Sequence, residues 1–252
     1  MPQILAKFVR WILILSLMFS LTGCFYWWRT YLTYLQMGEF DEHFSISVDE
    51  DFTVHFKHPI LLAEDFVSLA KLHASEEIKT PSGQSWHSWH YRFRKSDKQG
   101  DILAPEIQFT LSLTFNQQDE VIALSFSHMF LQIAPSEFLE LSIRSVGSGV
   151  IDKENRQLKV DTDNVRKINA PLPLKTVVLA NLGEPFKIED AETREVYLYY
   201  FMLEAYGIKK GYEDRALSAI RLTFDKESQE LIKMSGRFAG LKISINYRKY
   251  QT

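Results

Sequence analysis

The feature that most constrains this chain is a spacing. Phe115-Asn116 and Phe224-Asp225 close two alternating apolar runs 109 residues apart, and Val54 and Val160 stand 106 apart. Several landmarks keep nearly one offset, the mark of an internal repeat, so each half should hold a copy of one unit. The first copy opens on Phe44, Ile46 and Val48, followed by Phe52, Val54 and Phe56 after Asp49-Glu50-Asp51. Period two with an acidic turn predicts a hairpin, ended by Pro59. Leu62, Phe66, Leu69, Ala70 and His73 recur at spacings of three and four, which predicts an amphipathic helix. After a loop at Ser82-Gly83 come three strands. Trp89, Tyr91 and Phe93 alternate with His90, Arg92 and Arg94; Ile107 to Phe115 alternate with Gln108 to Thr114; Ile122, Leu124 and Phe126 follow a polar turn.

The same order recurs. Val150-Ile151 and Leu158-Lys159-Val160 flank a turn at Asp152 to Arg156, and Pro171 and Pro173 end the extended piece. Leu174, Val177, Val178 and Leu182 form a short helix stopped by Gly183 and Pro185. Val196 to Leu203, Ile220 to Phe224, Leu231 to Met234 and Leu241 to Tyr247 supply strands. The expected fold class is α+β: two tandem repeats of a hairpin, helix and three-stranded antiparallel sheet unit, spanning 44–134 and 150–252. A helix from Pro135 to Val146 with the hinge Gly147-Ser148-Gly149, together 135–149, joins them. Such a unit either buries one sheet face under its own helix or pairs with its twin.

The N-terminus carries an address. Lys7 and Arg10 precede Trp11 to Phe19, an almost unbroken apolar run, and the run closes on Leu21-Thr22-Gly23-Cys24. A charged segment, a short apolar segment and a small-residue end make a secretory signal over residues 1–23. The tetrapeptide resembles the lipobox of bacterial lipoproteins. That resemblance implies cleavage before Cys24, acylation of Cys24, and a chain held on the membrane with its body facing the periplasm. In enteric-type bacteria the residue after the cysteine affects sorting, and Phe25 points to the outer membrane. Residues 24–43 read as an aromatic-rich membrane-proximal linker, with Phe25-Tyr26-Trp27-Trp28 at headgroup level. The competing reading is an uncleaved span over Ile12 to Trp28, but the short apolar run and its Gly-Cys end favour cleavage.

Composition is that of a globular chain, 46% hydrophobic and 24% charged. Removing Lys7 and Arg10 from the 29 basic residues leaves 27 against 32 acidic ones. No basic block appears, which argues against nucleic acid as a partner. Cys24 is the single cysteine, so no internal disulfide stabilises the body.

A second resemblance concerns the body. The helix end Leu182-Gly183-Glu184-Pro185, with Tyr197-Leu198-Tyr199 and Leu222-Thr223-Phe224-Asp225 in the strands that follow, is similar to two small α+β types. These are the outer-membrane assembly accessory lipoprotein BamE and the β-lactamase-inhibitor proteins, the latter also tandem. The resemblance implies a non-enzymatic binding or adaptor module acting on another envelope protein, or an inhibitor of an envelope or secreted hydrolase. The first copy departs from it, with Lys71-Leu72-His73-Ala74 at the helix end, and no functional residue is carried over.

Catalytic chemistry finds little footing. His55 and His58 are three apart, as are His87 and His90, but both pairs fall in extended sequence, where residues three apart face opposite sides. A four-histidine zinc site or a histidine-dependent hydrolase is therefore the minor reading. The nucleophile boxes Gly-x-Ser-x-Gly and His-Glu-x-x-His are absent. Glu76-Glu77 and Glu189-Asp190 read as solvated acidic pairs on loops. No enzyme activity, cofactor or metal is expected. Aromatic residues are the richer signal: Trp86, Trp89 and Tyr91, then Tyr197, Tyr199, Tyr200, Phe201 and Tyr206. Alternation puts Tyr199 and Tyr200 on opposite faces. Packing between the repeats is the favoured reading. A partner-binding face built from Trp86, Trp89, Tyr197, Tyr199 and Tyr200 is the functional one.

Overall fold

The structure, a computed structural model, describes residues 26–79, 86–152, 157–159, 166–205, 211, 215–238 and 241–252. The signal, Cys24, Ser82-Gly83, Val160, Tyr206 and the 153–156 part of the second hairpin turn lie outside the described residues. Helix α1 covers residues 26–36 and a short turn α2 follows at Phe40–His43. Then come β1 (Phe44–Val48), β2 (Phe52–Phe56), α3 (Ala63–Ala70), β3 (Glu76–Lys79), β4 (Trp86–Ser96), β5 (Gln108–Asn116) and β6 (Val121–Phe126). Helices α4 (His128–Leu131) and α5 (Ser136–Ser145) lead to β7 (Val150–Asp152) and β8 (Gln157–Lys159). The chain ends with α6 (Lys175–Leu182), β9 (Lys187–Asp190), β10 (Arg194–Leu203), β11 (Leu217–Asp225), β12 (Leu231–Phe238) and β13 (Leu241–Asn246).

The expected strands are present, but their assembly differs from two three-stranded sheets. One eleven-stranded antiparallel sheet runs in the order β1-β2-β6-β5-β4-β10-β11-β12-β13, with β3 on β4 and β9 on β10; β7 and β8 pair apart from it. Its centre is a seam between the halves, where Ser96, Lys95, Arg94 and Phe93 pair with Tyr200, Phe201, Met202 and Leu203. The other end of each seam strand takes a partner from its own half. Glu76 to Lys79 pairs with His90 to His87, and Lys187 to Asp190 with Leu198 to Glu195. The acidic pairs Glu76-Glu77 and Glu189-Asp190 therefore stand on strands, not loops. They escaped pattern reading because these strands are mostly exposed and need no apolar alternation.

Alternation decides which side is covered. His87, Trp89, Tyr91, Phe93 and Lys95 of β4 share a face with Phe109, Leu113 and Phe115 of β5 and, across the seam, Tyr197, Tyr199 and Phe201 of β10. Helices cover this face. Phe66 of α3 meets Tyr91 at 5.4 Å, and Phe130 of α4 meets Phe109 at 5.5 Å. The ring of Phe109 is in turn edge-on to Phe201 at 5.0 Å, so the aromatic core is continuous through the seam.

Two cations lock the halves together. Lys95 is 7% exposed, and its Nζ donates to the carbonyls of Leu182 at 2.5 Å and Glu184 at 2.7 Å, over the Tyr199 ring. In the opposite direction Arg215 donates to the carbonyl of Ala70 at 3.0 Å. Each half thus sends a cation to the last carbonyl of the other half's helix, where the dipole favours positive charge. Gly183 is required here: its φ is +62°, and an added Cβ would stand 3.3 Å from the Lys95 Nζ.

Parallel details recur in the two halves. Ala63 N–H donates to Asp119 O and Lys175 N–H to Gln229 O; Val121 N–H donates to Leu61 O and Leu231 N–H to Pro173 O. Asp119 and Gln229 have φ of 60° and 59°, and the register slips once after Thr114 and once after Thr223.

Lys95→Met should strand the buried Leu182 carbonyl and cost about 1–3 kcal/mol for that unpaired group. Phe115→Ala and Phe224→Ala, both at fully buried positions, should each cost about 3–5 kcal/mol. Urea unfolding of the three variants measures both effects.

Candidate binding surfaces

Helix α1 turns two unlike faces to its surroundings. Arg29, Thr33 and Gln36, spaced four and three apart, face the body, and Thr33 and Gln36 are buried. The Arg29 guanidinium makes a two-pronged contact with Asp65, Nε to Oδ2 and Nη2 to Oδ1, both at 2.6 Å. Glu64 adds a third contact at 2.8 Å. The Asp65 carboxylate is fully buried and also accepts the Leu62 N–H, so it ties α1 to the start of α3. Tyr34 donates to the Gly149 carbonyl and Gln36 to the His58 carbonyl. The outer face is different: Trp27, Trp28, Tyr31 and Leu35 are 63%, 57%, 45% and 50% exposed. Residues 26–36, read from sequence as part of a linker, form a helix braced against the body.

The five aromatic candidates do not converge. Tyr197 and Tyr199 are buried on the helix-covered face, and Tyr199 donates to the Gly183 carbonyl at 3.0 Å beneath Lys95. Their rings cannot meet a partner from outside. Trp89 is half-buried, edge-on to Phe115 at 4.8 Å. Trp86 and Tyr200 share the opposite sheet face, but Tyr200 pairs with Ser96, ten residues along β4 from Trp86. At strand rise that is roughly 33 Å. Tyr200 packs edge-on against Phe186 at 5.1 Å.

The face opposite the helices is polar in the first half. Ser47 bonds His55 at 2.9 Å, Thr53 bonds Ser125 at 2.9 Å, and His90 lies between Ser88 and Ser112 at 3.1 and 2.9 Å. In the second half the same face carries Arg221, Lys233 and Arg237, placed by register on the side of Tyr200 and Ser96. Arg221 pairs with Glu189.

The histidines are likewise dispersed. His55 and His90 lie on β2 and β4, with β6 and β5 between them and a two-residue offset along the strand, about 16 Å apart at ordinary strand spacing and rise. His87 faces the covered side and stacks on Phe115 at 4.9 Å, while His58 meets His43, Nδ1 to Nδ1, at 3.2 Å. Zinc–nitrogen bonds are about 2 Å long, so the four-histidine set does not form a site. Sequence reading missed one grouping: Glu39, Glu42 and His43, whose ligand atoms lie within 4.8 Å of one another. Their spacing of three and four across a helical turn was the available signal. Among the described residues no helix is long and apolar enough to cross a membrane.

No protein-family model, curated protein or solved structure matches this chain.

Burial pushes the His90 imidazole below its ordinary pKa, and Arg92 pushes the same way against Glu76. Between that lowered value and 6.5 the unfolded chain holds the extra proton, so stability rises with pH in this window. Acidification from above pH 6.5 should lower the melting temperature, and His90→Gln should lose less over the same range. In the same assay Tyr199→Ala should melt well below wild type, by a change worth about 3–5 kcal/mol. Trp86→Ala should stay within about 0.5 kcal/mol.

Proposed function

We propose that this chain is a lipid-anchored protein of the bacterial cell envelope, acylated at Cys24 and facing the periplasm, whose body is a non-enzymatic binding or adaptor module. The observation that carries the reading is the join between address and body. By Tyr26, two residues past the lipobox cysteine, the chain is in α1, and Arg29 fastens that helix to Asp65. A lipid on Cys24 would therefore be attached next to a braced helix rather than to a loose tail. Phe25 after the cysteine favours the outer membrane as destination.

The body fits the role of a platform. The repeat spacing, the matching helix-start and turn hydrogen bonds, the matching register slips and the exchanged helix-end cations support a tandem duplication. The duplicated units then make one wide sheet with helices on one side. Serine, threonine and histidine on the other side, followed by Arg221, Lys233 and Arg237, suit recognition of another envelope protein more than bond-breaking chemistry. Dispersal of the histidines also weighs against a histidine-dependent hydrolase.

The second reading is an inhibitor of an envelope or secreted hydrolase. The observation favouring it is that the seam joins both halves into one sheet, so the polar β2 to β6 region and the basic β11 and β12 region lie on one face with Tyr200 and Phe186 between them, broad enough to cover an active-site rim. Cross-linking on cells separates the two: an adaptor would capture a resident envelope assembly, an inhibitor a soluble hydrolase whose turnover falls on binding.

Cells grown with a clickable fatty acid should label the wild-type chain and leave Cys24→Ala unlabelled and unprocessed, because the thiol is the acyl acceptor. Equal labelling of both would overturn the anchoring.

A further inference from the structure

We propose that the outer face of α1 is a docking surface for the bilayer interface, and that through the Arg29–Asp65 contact it sets a fixed attitude of the whole body on the membrane. The inference rests on the proposed anchoring for where the chain meets the membrane, and adds what the helix does there. Trp27, Tyr31 and Leu35 repeat every fourth residue with Trp28 beside them, all at least 45% exposed. At helical rise this stripe is roughly 12 Å long. Two tryptophans and a tyrosine on a water-facing stripe are unusual for a soluble surface. They are what headgroup-level anchoring uses, since the rings are apolar with one polar edge.

The occupant follows from what adjoins the stripe. The apolar run Trp11 to Phe19 and the lipobox Leu21-Thr22-Gly23-Cys24 stand just before Tyr26 in the sequence, so the proposed lipid attachment adjoins the helix. A protein groove would be an alternative occupant, but a membrane is already the neighbour at that end. Charge supports the same occupant. Arg29 is the only charged residue between 26 and 36, and it points inward to Asp65. The outward face is uncharged, so docking depends on burying rings rather than on attraction to anionic lipid.

The inner face converts docking into orientation. Arg29 to Asp65, Tyr34 to Gly149 and Gln36 to His58 join α1 to three separate parts of the body. A helix lying in the interface and held at three points leaves the body no free swivel. It acts as a bracket, not a tether.

The test uses the full chain in phosphatidylcholine vesicles. Cys24→Ala leaves no other cysteine, so Leu35→Cys or the exposed turn position Glu227→Cys can carry one environment-sensitive dye. Bilayer attachment persists through the retained apolar run. The dye at 35 should be quenched by spin-labelled lipid and shielded from iodide; the dye at 227 should show the reverse. Added anionic lipid or high salt should change neither. A dye at 35 as open to iodide as the one at 227 would overturn the docking surface. Energy transfer from position 227 to acceptors in the lipid plane should give one narrow distance, broadened by Arg29→Ala with Asp65→Asn. A broad distance in the parent would overturn the fixed attitude. Fatty-acid labelling of wild type, scored separately, reports on the anchoring alone: insertion without acylation upholds this inference and sinks the lipoprotein reading, and acylation without insertion does the opposite.

Discussion

A buried ammonium holds the centre of this protein. Lys95 sits inside the seam, and its charge is accepted by two carbonyls at the end of α6 and by the Tyr199 ring. Burying an ammonium is costly unless its protons are met, and here the dipole at the helix end adds to the hydrogen bonds. The consequence spreads outward. α6 must end where β4 meets β10, Gly183 must take its positive φ, and the strand that follows must enter beside β10. Arg215 makes the reciprocal contact on α3, so neither half is finished without a cation from the other. The seam pairs the edges of β4 and β10, each of which would otherwise stand open to association.

The other demanding charge pair lies where α1 meets the start of α3. Asp65 is fully buried, and a buried carboxylate is tolerable only with its lone pairs satisfied. Arg29 and the Leu62 N–H do this between them. Removing Arg29 would leave a bare charge inside, so α1 is bound to the body as strictly as the core helices are. The exposed rings on its far side gain meaning from that rigidity.

Covering one sheet face and leaving the other polar divides labour in the molecule. Stability resides in the core where Phe109 and Phe201 of the sheet lie together with Phe130 and Phe138 of the covering helices. The opposite face is spared packing duties in most places and can vary its charge, from hydroxyls and histidines on β2 to β6 to basic residues on β11 and β12. Tyr200 and Phe186 are the exception, an aromatic pair near the seam.

Much of this was legible in the chain. Period-two alternation marked β1, β2, β5, β6 and β11, because a strand with one buried face must alternate. Spacing of three and four marked α3 for the equivalent reason, and the repeat offset raised the expectation of two similar halves. What escaped was whatever depends on partners distant in sequence. β3 and β9 carry no pattern of their own and are strands only because the edges of β4 and β10 need them. Tyr197 and Tyr199 carried a binding reading beside the favoured one of packing, and the sheet puts their face under helices. Nothing local sets Lys95 apart in Arg92-Phe93-Arg94-Lys95, and only the seam turns it inward to cap a helix 87 residues away. Local periodicity is set by the chain's own geometry, so sequence determines it. Which edges meet, and which charges must then be buried together, is decided by closure of the sheet, and that exists only in the tertiary structure.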